Sequence, residues 1–427
     1  MIAFGPLVWL FILLGLAVPV GFAMLVVGLY GIFGIGGWNM VAGILRSSPL
    51  RSVSSYDFIT LPMFLLMSEF VLLSGVANNL FAAAAAFTGR IRGGLGMATA
   101  IAGAGFGAIC GTSTAAAATL SGTTLPAMIQ QKYRPDVAAG VVAISGTLSM
   151  LIPPSLALII YGVIAEVNIG KLLIAGVMPA VFITGVICGT IYVLALRDPS
   201  AAPAAAPVPW SEKLRLLRVT GPVLVLFGFV TGTIYSGIAT PAEASALGAL
   251  GGMILAVLYR KLTLAGLRKA LLRATMASCM IFMIIMGATI FGYFFTLTQI
   301  TQSLVVWAGQ LQVSPWVIIL LIMSIYLVLG FFMDQTAMLI LTVPITVPVV
   351  VSLGYDPIWF GVLVVVAAEI GLVTPPVGLN AFIVSRASGI PLQTVFRGVM
   401  PHVLAHIVAL LVLLAFPVIT LWLPGRM

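Results

Sequence analysis

The feature that most constrains this chain is a pair of adjacent prolines, Pro153 and Pro154, in the middle of an apolar run. Proline lacks a backbone N–H and pushes the residue before it out of the α region, so a helix must break there. In lipid, such a break is stable only where the freed carbonyls meet protein, water or an ion. The same arrangement recurs 222 residues later at Pro375 and Pro376. Two broken helices at corresponding positions are the best sequence indication of a transporter's binding site.

The composition requires a membrane protein. Hydrophobic residues make up 62% of the 427 residues and charged residues only 7%, too few charges for a water-facing surface. The basic residues stand singly or in small groups between apolar runs, which is typical of topology signals and not of a nucleic-acid-binding face. The N-terminal run Met1–Ala23 has no Lys or Arg before it. We therefore expect a retained membrane segment there and not a cleaved secretory signal.

The order of apolar and polar segments predicts an all-α polytopic protein built from two repeats. We expect a first repeat over 1–197, a Pro/Ala-rich linker over 198–218 and a second repeat over 219–427. Each repeat contains a stretch too short and too polar for two full spans, 111–131 and 334–353, which predicts a re-entrant hairpin. Each also contains a helix broken at its proline pair, over 137–164 and 357–384. Motifs match without gaps across the repeats, as Gly176–Pro179 matches Gly398–Pro401.

Charge predicts that the repeats are inverted. The loop after the first hairpin carries Lys132 and Arg134, and its partner loop carries Asp356 and no basic residue. Equivalent loops of opposite charge belong on opposite sides of the membrane. Placing Lys132 inside puts 15 of the 19 basic residues in the cytoplasm, with the linker inside and both termini in the periplasm. The basic, leucine-bearing stretch 260–273 suits either an interfacial helical arm on the inner leaflet or an ordinary cytoplasmic loop.

Hydroxyl groups and glycines concentrate at the hairpins and breaks. Oxygen ligands beside a broken helix suit Na⁺, and half-helix N-termini attract a carboxylate. We predict a Na⁺ site and a substrate site that share residues from both repeats. The predicted Na⁺ ligands are Gly111, Thr112, Thr114, Ser145, Thr147, Asp334, Thr336, Gly371, Thr374 and Gly378. The predicted substrate-binding residues are Thr112, Ser113, Ser149, Pro153, Pro154, Thr374, Pro375, Pro376 and Asn380, with Gln335 beside them.

Five further ionisable residues lie in apolar runs without an assigned role. Intramembrane acids are usually functional, but Glu69 can equally tie two helices together, and Glu243 lies near an outer turn where water can solvate it. Glu369 immediately precedes the second break. His402 and His406 share a helix face, but no third ligand and no metalloprotease glutamate accompany them, so packing is favoured over a zinc site. No catalytic residue and no phosphate-binding loop are present in the sequence.

Several motifs in order along the chain resemble the large membrane subunit of tripartite ATP-independent periplasmic (TRAP) transporters. They include Leu61–Glu69, Gly107–Ser113, Ile152–Ser155, Tyr235–Ala244, Gly330–Asp334 and Glu369–Asn380. The resemblance implies an inner-membrane protein without an organic cofactor that takes up an organic acid, such as a C4-dicarboxylate or sialic acid, with Na⁺ as the coupling ion. It also implies a separate small membrane subunit, a periplasmic binding protein as partner, and a transport domain that moves as an elevator.

Three other interpretations remain open at this stage. A stand-alone dicarboxylate carrier coupled to Na⁺ or H⁺ would need no binding protein. An ion channel would conduct without substrate, and an intramembrane enzyme would show a catalytic dyad, which the sequence lacks. The identity of the organic acid is not encoded in any motif, because selection by a TRAP system rests largely with its binding protein.

Overall fold

The computed structural model describes residues 4–16, 18–75, 78–310 and 312–427, and in these residues the regular structure is helical throughout. The α-helices of the first half are α1 (Phe4–Gly15), α2 (Val20–Arg51), α3 (Thr60–Ser74), α4 (Asn78–Thr88), α5 (Gly94–Cys110), α6 (Ser113–Thr123), α7 (Leu125–Gln130), α8 (Pro135–Thr147), α9 (Leu156–Ile164), α10 (Ile169–Ala175) and α11 (Val177–Arg197). Those of the second half are α12 (Trp210–Tyr235), α13 (Pro241–Leu258), α14 (Leu264–Thr298), α15 (Ile300–Gln310), α16 (Pro315–Gly330), α17 (Gln335–Ser352), α18 (Pro357–Gly371), α19 (Leu379–Ser388), α20 (Leu392–Ala415) and α21 (Val418–Leu421).

Many of these helices suit a membrane. Within the described residues, seven are long and apolar enough to cross it, or up to eight if the bent pair over 60–88 is one span. Five shorter apolar helices accompany them, among them α5, α8, α16 and α18. The predicted all-α polytopic fold is therefore confirmed. A bilayer allows this architecture because a helix satisfies its backbone hydrogen bonds within itself.

Both proline pairs interrupt helices, as the sequence predicts. In the first half, α8 ends at Thr147, a 3₁₀ turn covers Leu148–Met150, and α9 begins beyond Pro153 and Pro154. In the second half, α18 ends at Gly371 and α19 begins at Leu379. The peptide bond within each proline pair is cis. The broken helices thus run over 135–164 and 357–388, close to the predicted ranges.

The hairpins differ from their predicted ranges. Residues 111–131 do not turn back on themselves: α6 and α7 are separated only by Thr124, which keeps α-region backbone angles. The turn is at Gly111 and Thr112, so α5 is the entering arm and α6–α7 the returning arm. Thr99 in α5 lies beside Met128 in α7, with Oγ1 3.8 Å from Sδ. Likewise α16 enters and α17 returns, since the Tyr326 hydroxyl contacts Thr346 at 2.8 Å.

The predicted hairpin ranges began too late because the entering arms are uniformly apolar. Gly94–Cys110 and Pro315–Gly330 read as ordinary spans by composition. Only their lengths, 17 and 16 residues, fall short of the roughly 20 that a full crossing requires. Helix length therefore carries information that hydropathy alone does not.

The linker between the halves is shorter than predicted. It covers 198–209, because α12 already begins at Trp210 and includes the expected linker residues 210–218. Its backbone pairs with two turns of the first half, through Gly93 N to Ala202 O at 3.0 Å and Ala205 N to Gly89 O at 2.8 Å. Arg134 also binds the carboxylate of Asp198 at 3.0 Å. A hydrogen bond from Ser200, together with the charge of Arg134, lowers the pKa of Asp198.

The stretch 260–273 is not a separate arm. From Leu264 onward it forms the first turns of α14, which continues without a break to Thr298. A helix of 35 residues is roughly 50 Å long, so α14 extends well beyond a hydrocarbon core of about 30 Å. The basic residues therefore mark the end of a long helix, and side chains such as Leu264 and Leu272 remain exposed there.

Four helices, α2, α3, α13 and α14, form what we call the paired group. α2 packs along α14, and α3 packs along α13. Close glycine contacts show that α2 and α14 run in the same direction, because Gly21 lies against Ile284 and Gly28 against Phe291. The helices α3 and α14 run in opposite directions. Phe58, just before α3, packs edge-on against Phe282 with ring centroids 6.2 Å apart, and Leu73 at the other end lies beside Gly266.

The hairpins and broken helices, α5–α9 and α16–α20, form what we call the hairpin group. Its helix starts recur at a fixed interval: α6 begins at Ser113 and α17 at Gln335, and α8 begins at Pro135 and α18 at Pro357, in each case 222 residues apart. The two halves cross closely where Gly140 of α8 meets Gly398 of α20. A side chain at either position would collide with backbone, so these glycines set the distance between the helices.

Candidate functional site

The first hairpin tip lies directly on the first helix break. Gly111 at the tip has φ +62°, and a Cβ there would lie 3.0 Å from Cγ of Leu156, the first residue of α9. Glycine is suited to this position because it adopts the left-handed region without a steric penalty. In α5, Gly103 lies against the backbone of Ser145 and Gly107 against that of Ser149. These glycines allow α5 to approach the broken helix closely, so that Ser145 and Ser149 lie along the entering arm that leads to the tip.

The predicted hydroxyl ligands at this tip divide into two kinds. The Oγ atoms of Ser113 and Ser145 are buried and have no hydrogen-bond partner. Thr147 and Ser149 instead donate to carbonyls of their own helical turns, to Ile144 O at 2.8 Å and Gly146 O at 2.9 Å. Thr112 and Thr114 are half-buried. A buried oxygen without a hydrogen-bond partner costs about 1–3 kcal/mol, so the hydroxyl groups of Ser113 and Ser145 are candidates for contact with a ligand.

The second hairpin tip meets the second break in the same way. A Cβ on Gly371, at the end of α18, would lie 2.5 Å from the backbone of Gly330, at the end of α16. Gly378 before α19 has φ +55° and lies against the ring of Phe396. The Thr374 hydroxyl donates to Ile370 O at 2.6 Å. Gly371, Thr374 and Gly378 are therefore gathered at one tip-and-break junction, as the sequence predicts.

Two amide side chains beside the second tip lack partners. Asn380 is fully buried and neither its Oδ1 nor its Nδ2 makes a hydrogen bond, although its backbone N–H donates to Leu372 O at 3.0 Å. Gln335 is 1% exposed, and its Oε1 and Nε2 are also unpartnered. Asn380 and Gln335 thus mirror Ser113 and Ser145 of the first half as buried polar groups without protein partners.

Asp334 is an exposed helix cap, whereas a buried position would be expected for an intramembrane ion ligand. Its carboxylate accepts a hydrogen bond from Thr336 N at 3.0 Å and so caps α17, and the side chain is exposed. Ser155, to which the sequence assigns no role, is a second capping residue, at the start of the half-helix that follows the first break. It caps α9 by accepting from Leu158 N at 3.1 Å and also donates to Met150 O.

The two junctions belong to one interleaved body. α19, which follows the second break, packs on α6 and α8 of the first half. Conversely α9, which follows the first break, packs on α17 and α18, with the Tyr161 hydroxyl donating to Pro357 O at 2.6 Å. The turn Leu148–Met150 also contacts α18. Pro153 and Pro154 are buried, whereas Pro375 and Pro376 are exposed, so the second junction is the more accessible one.

The donor set at these junctions fits Na⁺. Na⁺ is a hard cation that prefers carbonyl, hydroxyl and amide oxygens. Buried oxygens without partners are present at both junctions, on Ser113, Ser145, Gln335 and Asn380. Residues 372–378 interrupt the helical ladder beside them, so main-chain carbonyls near the second break lack i+4 donors. Neutral oxygens of this kind suit a monovalent cation better than a transition metal.

The remaining intramembrane ionisable residues have identifiable surroundings. Glu69 lies 3.8 Å from Arg273 and so connects α3 to α14. Glu243 forms a capping box with Thr240 at the start of α13 and is exposed. Glu369 and His406 are fully buried, with Oε2 and Nε2 4.0 Å apart. His402 is also buried and without a partner. Within the described residues, no three His, Cys, Asp or Glu side chains are grouped to hold a metal.

A large cavity lies away from both junctions. It has a volume of about 780 Å³ and is lined by α2 and the loop after it, by α14, by the turn between α9 and α10, and by Pro344 of α17. None of the residues predicted from the sequence lines it. Arg51 and Ser48 are among its lining residues, and the sequence signal that could have revealed them is the run of five serines around two arginines in Arg46–Ser55.

Comparison with known proteins gives a consistent picture. The chain matches the family described as the DctM component of tripartite ATP-independent periplasmic transporters over residues 7–419. It is 36% identical to a C4-dicarboxylate TRAP transporter large permease protein of Pseudomonas aeruginosa, covering 87% of this chain and 86% of that one. It is 31% identical to a sialic acid TRAP transporter large permease protein of Vibrio cholerae, covering 97% and 96%.

Solved structures share the fold at low sequence identity. The YdaH transporter of Alcanivorax borkumensis superposes with a TM-score of 0.66 at 14% identity, covering 88% of this chain and 89% of that one. MtrF of Neisseria gonorrhoeae, described as one of a class of antimetabolite efflux pumps, gives a TM-score of 0.59 at 14% identity, with coverage of 88% and 84%. At this level of identity the likeness concerns the architecture alone.

Proposed function

Since this chain belongs to the DctM family of tripartite ATP-independent periplasmic transporters, we propose that it carries an organic acid inward across the bacterial inner membrane on a Na⁺ gradient. The family consists of transporter permeases, and the chain is a large membrane subunit and not an enzyme. The acid is a carboxylate of the kind named for its relatives, a C4-dicarboxylate or sialic acid. A periplasmic binding protein delivers it, and a small membrane subunit completes the transporter.

The single observation that carries the proposal is the pairing of each hairpin tip with a broken helix. At both junctions, tight glycine contacts hold a tip against a break, and buried oxygens nearby have no protein partner. Such junctions offer exposed carbonyls for cations and helix N-termini for a carboxylate. We assign the Na⁺ ligands and the substrate contacts to these junctions, with the acid held between the two tips.

An inverted repeat is part of the proposal and has support in helix direction. Residues 60–74 of α3 correspond, 222 residues later, to 282–296 within α14. Equivalent helices of an inverted pair must run in opposite directions, and α3 and α14 are antiparallel. The reciprocal packing of α2 on α14 and α3 on α13 is what an approximate two-fold axis between the repeats generates.

The division into two helix groups supports an elevator motion. We assign the paired group as the stationary scaffold and the hairpin group as the moving transport domain. Both tip-and-break junctions lie within the hairpin group and interleave there, so ions and acid would move as one body with it. The large cavity beside α14 lies between the two groups. A rigid-body displacement of one repeat-derived bundle against another is a common solution for alternating access.

Reconstitution distinguishes this function from a stand-alone carrier. We expect liposomes containing the large and small subunits to accumulate radiolabelled succinate or N-acetylneuraminate only when the binding protein is supplied outside. The matched control is the same liposomes with binding protein present only in the lumen. Equal uptake without any binding protein would favour the stand-alone carrier and contradict the tripartite assignment, and a substrate-independent current would favour a channel.

A further inference from the structure

The large cavity beside α14 has the dimensions of a ligand site. Its volume of about 780 Å³ lies within the range of roughly 300–1,000 Å³ that is usual for small-molecule pockets. One wall comes from the end of α2 and from α14, in the paired group. The facing wall comes from the turn between α9 and α10 and from Pro344 of α17. A molecule in this cavity would therefore contact both helix groups at once.

Arg51 is the residue through which the cavity can bind an anion. It is the last residue of α2 and the basic residue of the lining. It makes no ion pair and no side-chain hydrogen bond in the described part of the chain, where four ion pairs occur elsewhere. Ser48, Ser52 and Ser55 stand on the same wall. A guanidinium with five free donors, flanked by hydroxyls, is suited to bind a carboxylate in a bidentate manner.

The repeat explains why Arg51 is free. The residue 222 positions later is Arg273, which is held by Glu69 at 3.8 Å. The residue that corresponds to Glu69 in the other half is Phe291, which is buried against α2 and cannot pair with a cation. Arg51 is thus present in the first half, and the second half lacks the acid that would pair with it. Arg51 is exposed, and a guanidinium without a partner in the chain is free to bind an anion from outside it.

The opposite wall of the cavity is polar as well. Glu166 has φ +54°, an uncommon conformation for a residue other than glycine. It lines both the large cavity and an adjoining one of about 280 Å³, as do Thr289 and Tyr293 of α14. Asn168 uses its Oδ1 to cap α10, which leaves its amide donors available. Among the described side chains that line the cavity, Glu166 is the only acid. Its negative charge opposes the binding of an anion, so its removal should strengthen binding where the removal of Arg51 weakens it.

We propose that this cavity is an entry site, in which Arg51 binds the carboxylate of the organic acid before the acid reaches the hairpin tips. The inference rests on the proposed function, because it takes the transported acid as the ligand. The predicted topology places Arg51 and the α9–α10 turn on the periplasmic side, where the acid arrives. The contact with both helix groups would be lost once the hairpin group moves, which makes the site suited to capture and not to retention.

The test is concentration-dependent uptake by the complete reconstituted transporter, with succinate and N-acetylneuraminate as probes. Arg51→Gln should raise KM by about tenfold with kcat little changed, since a charge-assisted contact to the ligand is lost. Arg51→Lys should recover part of the affinity because it keeps the charge but not the fork. Arg46→Gln is the matched control: it removes an exposed arginine from the same helix, outside the cavity. Glu166→Gln should lower KM, because it removes a like charge.

Several results would overturn the proposal. One is an unchanged KM in Arg51→Gln, and another is a rise of KM in Arg46→Gln as large as that in Arg51→Gln. A rise of KM in Glu166→Gln would also contradict it, because it would indicate general damage to the cavity. Rescue of Arg51→Gln by excess binding protein would assign Arg51 to docking of that protein instead. If the wild-type transporter carries neither acid with its binding protein present, the proposed function fails. If the wild-type transporter carries one of the acids and Arg51→Gln carries it equally well, only the proposed entry site is contradicted.

Discussion

Single residues decide what the two junctions can bind. The Thr374 hydroxyl is satisfied by Ile370 O at 2.6 Å, yet its lone pairs remain available to a cation. Ser113 and Ser145 differ from Thr374, since their buried Oγ atoms have no hydrogen-bond partner in the protein. Chemistry of this kind is local, and it can be tested one oxygen at a time.

Removal of one hydroxyl oxygen should weaken Na⁺ binding without unfolding the protein. We expect NaCl to raise the melting temperature of the purified chain above its value in KCl, because a ligand that binds only the folded state stabilises it. Thr112→Ala and Thr374→Ala should shift the Na⁺ dependence to about tenfold higher concentration. Thr190→Ala is the control, as its hydroxyl makes the same kind of bond, to Val186 O. An unchanged Na⁺ dependence in both variants would remove these threonines from the site.

Asn380 should be needed for transport but not for stability. Its buried amide has no side-chain partner, so Asn380→Leu removes a desolvation penalty of about 1–3 kcal/mol and should leave the melting temperature equal or higher. Uptake should nevertheless fall by at least tenfold if the amide contacts ligand. Thr263→Ala should give the opposite pattern, since it loses the cap of α14 and about 1 kcal/mol of stability. Normal uptake in Asn380→Leu would exclude Asn380 from binding.

The sequence predicted site residues best where polar residues interrupt apolar runs. The proline pairs, the glycines and the hydroxyls around them lie at the tip-and-break junctions. Asp334 was assigned to ion coupling because acids are rare in membranes, but a helix cap explains its position as well. Arg51 was not predicted from the sequence, because its lack of a partner is recognised only from the pairing of Glu69 with Arg273. Phe291 occupies the position that corresponds to Glu69 in the other repeat. That asymmetry becomes meaningful only once the contacts are known.

At the scale of elements, the contact between each hairpin tip and its break is the critical feature. The tip of α5–α6 touches α9 through Gly111, and the end of α16 touches the end of α18 through two glycines. Helix breaks were predictable, because proline has a defined effect on the backbone. Hairpin limits were not, because α5 and α16 are as apolar as true spans and differ from them only in length. The start of α12 was missed because Trp210–Arg218 is amphipathic and too polar to resemble a span.

An added methyl group at the first tip should uncouple the tip from the break. Gly111→Ala places a Cβ 3.0 Å from Leu156 and forces a side chain into φ +62°. Gly389→Ala imposes a comparable backbone strain, at φ +73°, with nothing within 4 Å of the new atom. Both should lose about 1–2 kcal/mol from the left-handed conformation. Only Gly111→Ala should reduce uptake strongly, and similar uptake in the two variants would contradict a functional tip contact.

At the scale of the whole molecule, the account depends on two halves of opposite orientation. The antiparallel course of α3 and α14 and the regular interval between helix starts support it. The sequence predicts an inverted repeat because charge marks the side of each loop and because the motifs repeat without gaps. It did not predict that α9 and α19 would each pack in the other half. Such interleaving follows from packing between distant segments, which no local pattern encodes.

The orientation can be measured with single cysteines. Ser54 follows α2 on the predicted periplasmic side, and Ser200 lies in the predicted cytoplasmic linker; both are exposed. In intact cells, a membrane-impermeant maleimide should label Ser54→Cys above the background of the parent protein. Ser200→Cys should be labelled only after permeabilisation. The reverse pattern would invert the topology, and labelling of both from outside would contradict the inverted repeat.

The most direct test of the central claim is uptake driven by Na⁺ alone. Liposomes containing the complete transporter, with binding protein outside and membrane potential clamped to zero, should accumulate succinate or N-acetylneuraminate above equilibrium only when an inward Na⁺ gradient is imposed. A K⁺ or H⁺ gradient of the same size should not drive accumulation, and Thr112→Ala combined with Thr374→Ala should abolish it. Accumulation that is indifferent to Na⁺, and unchanged in the double variant, would contradict the account.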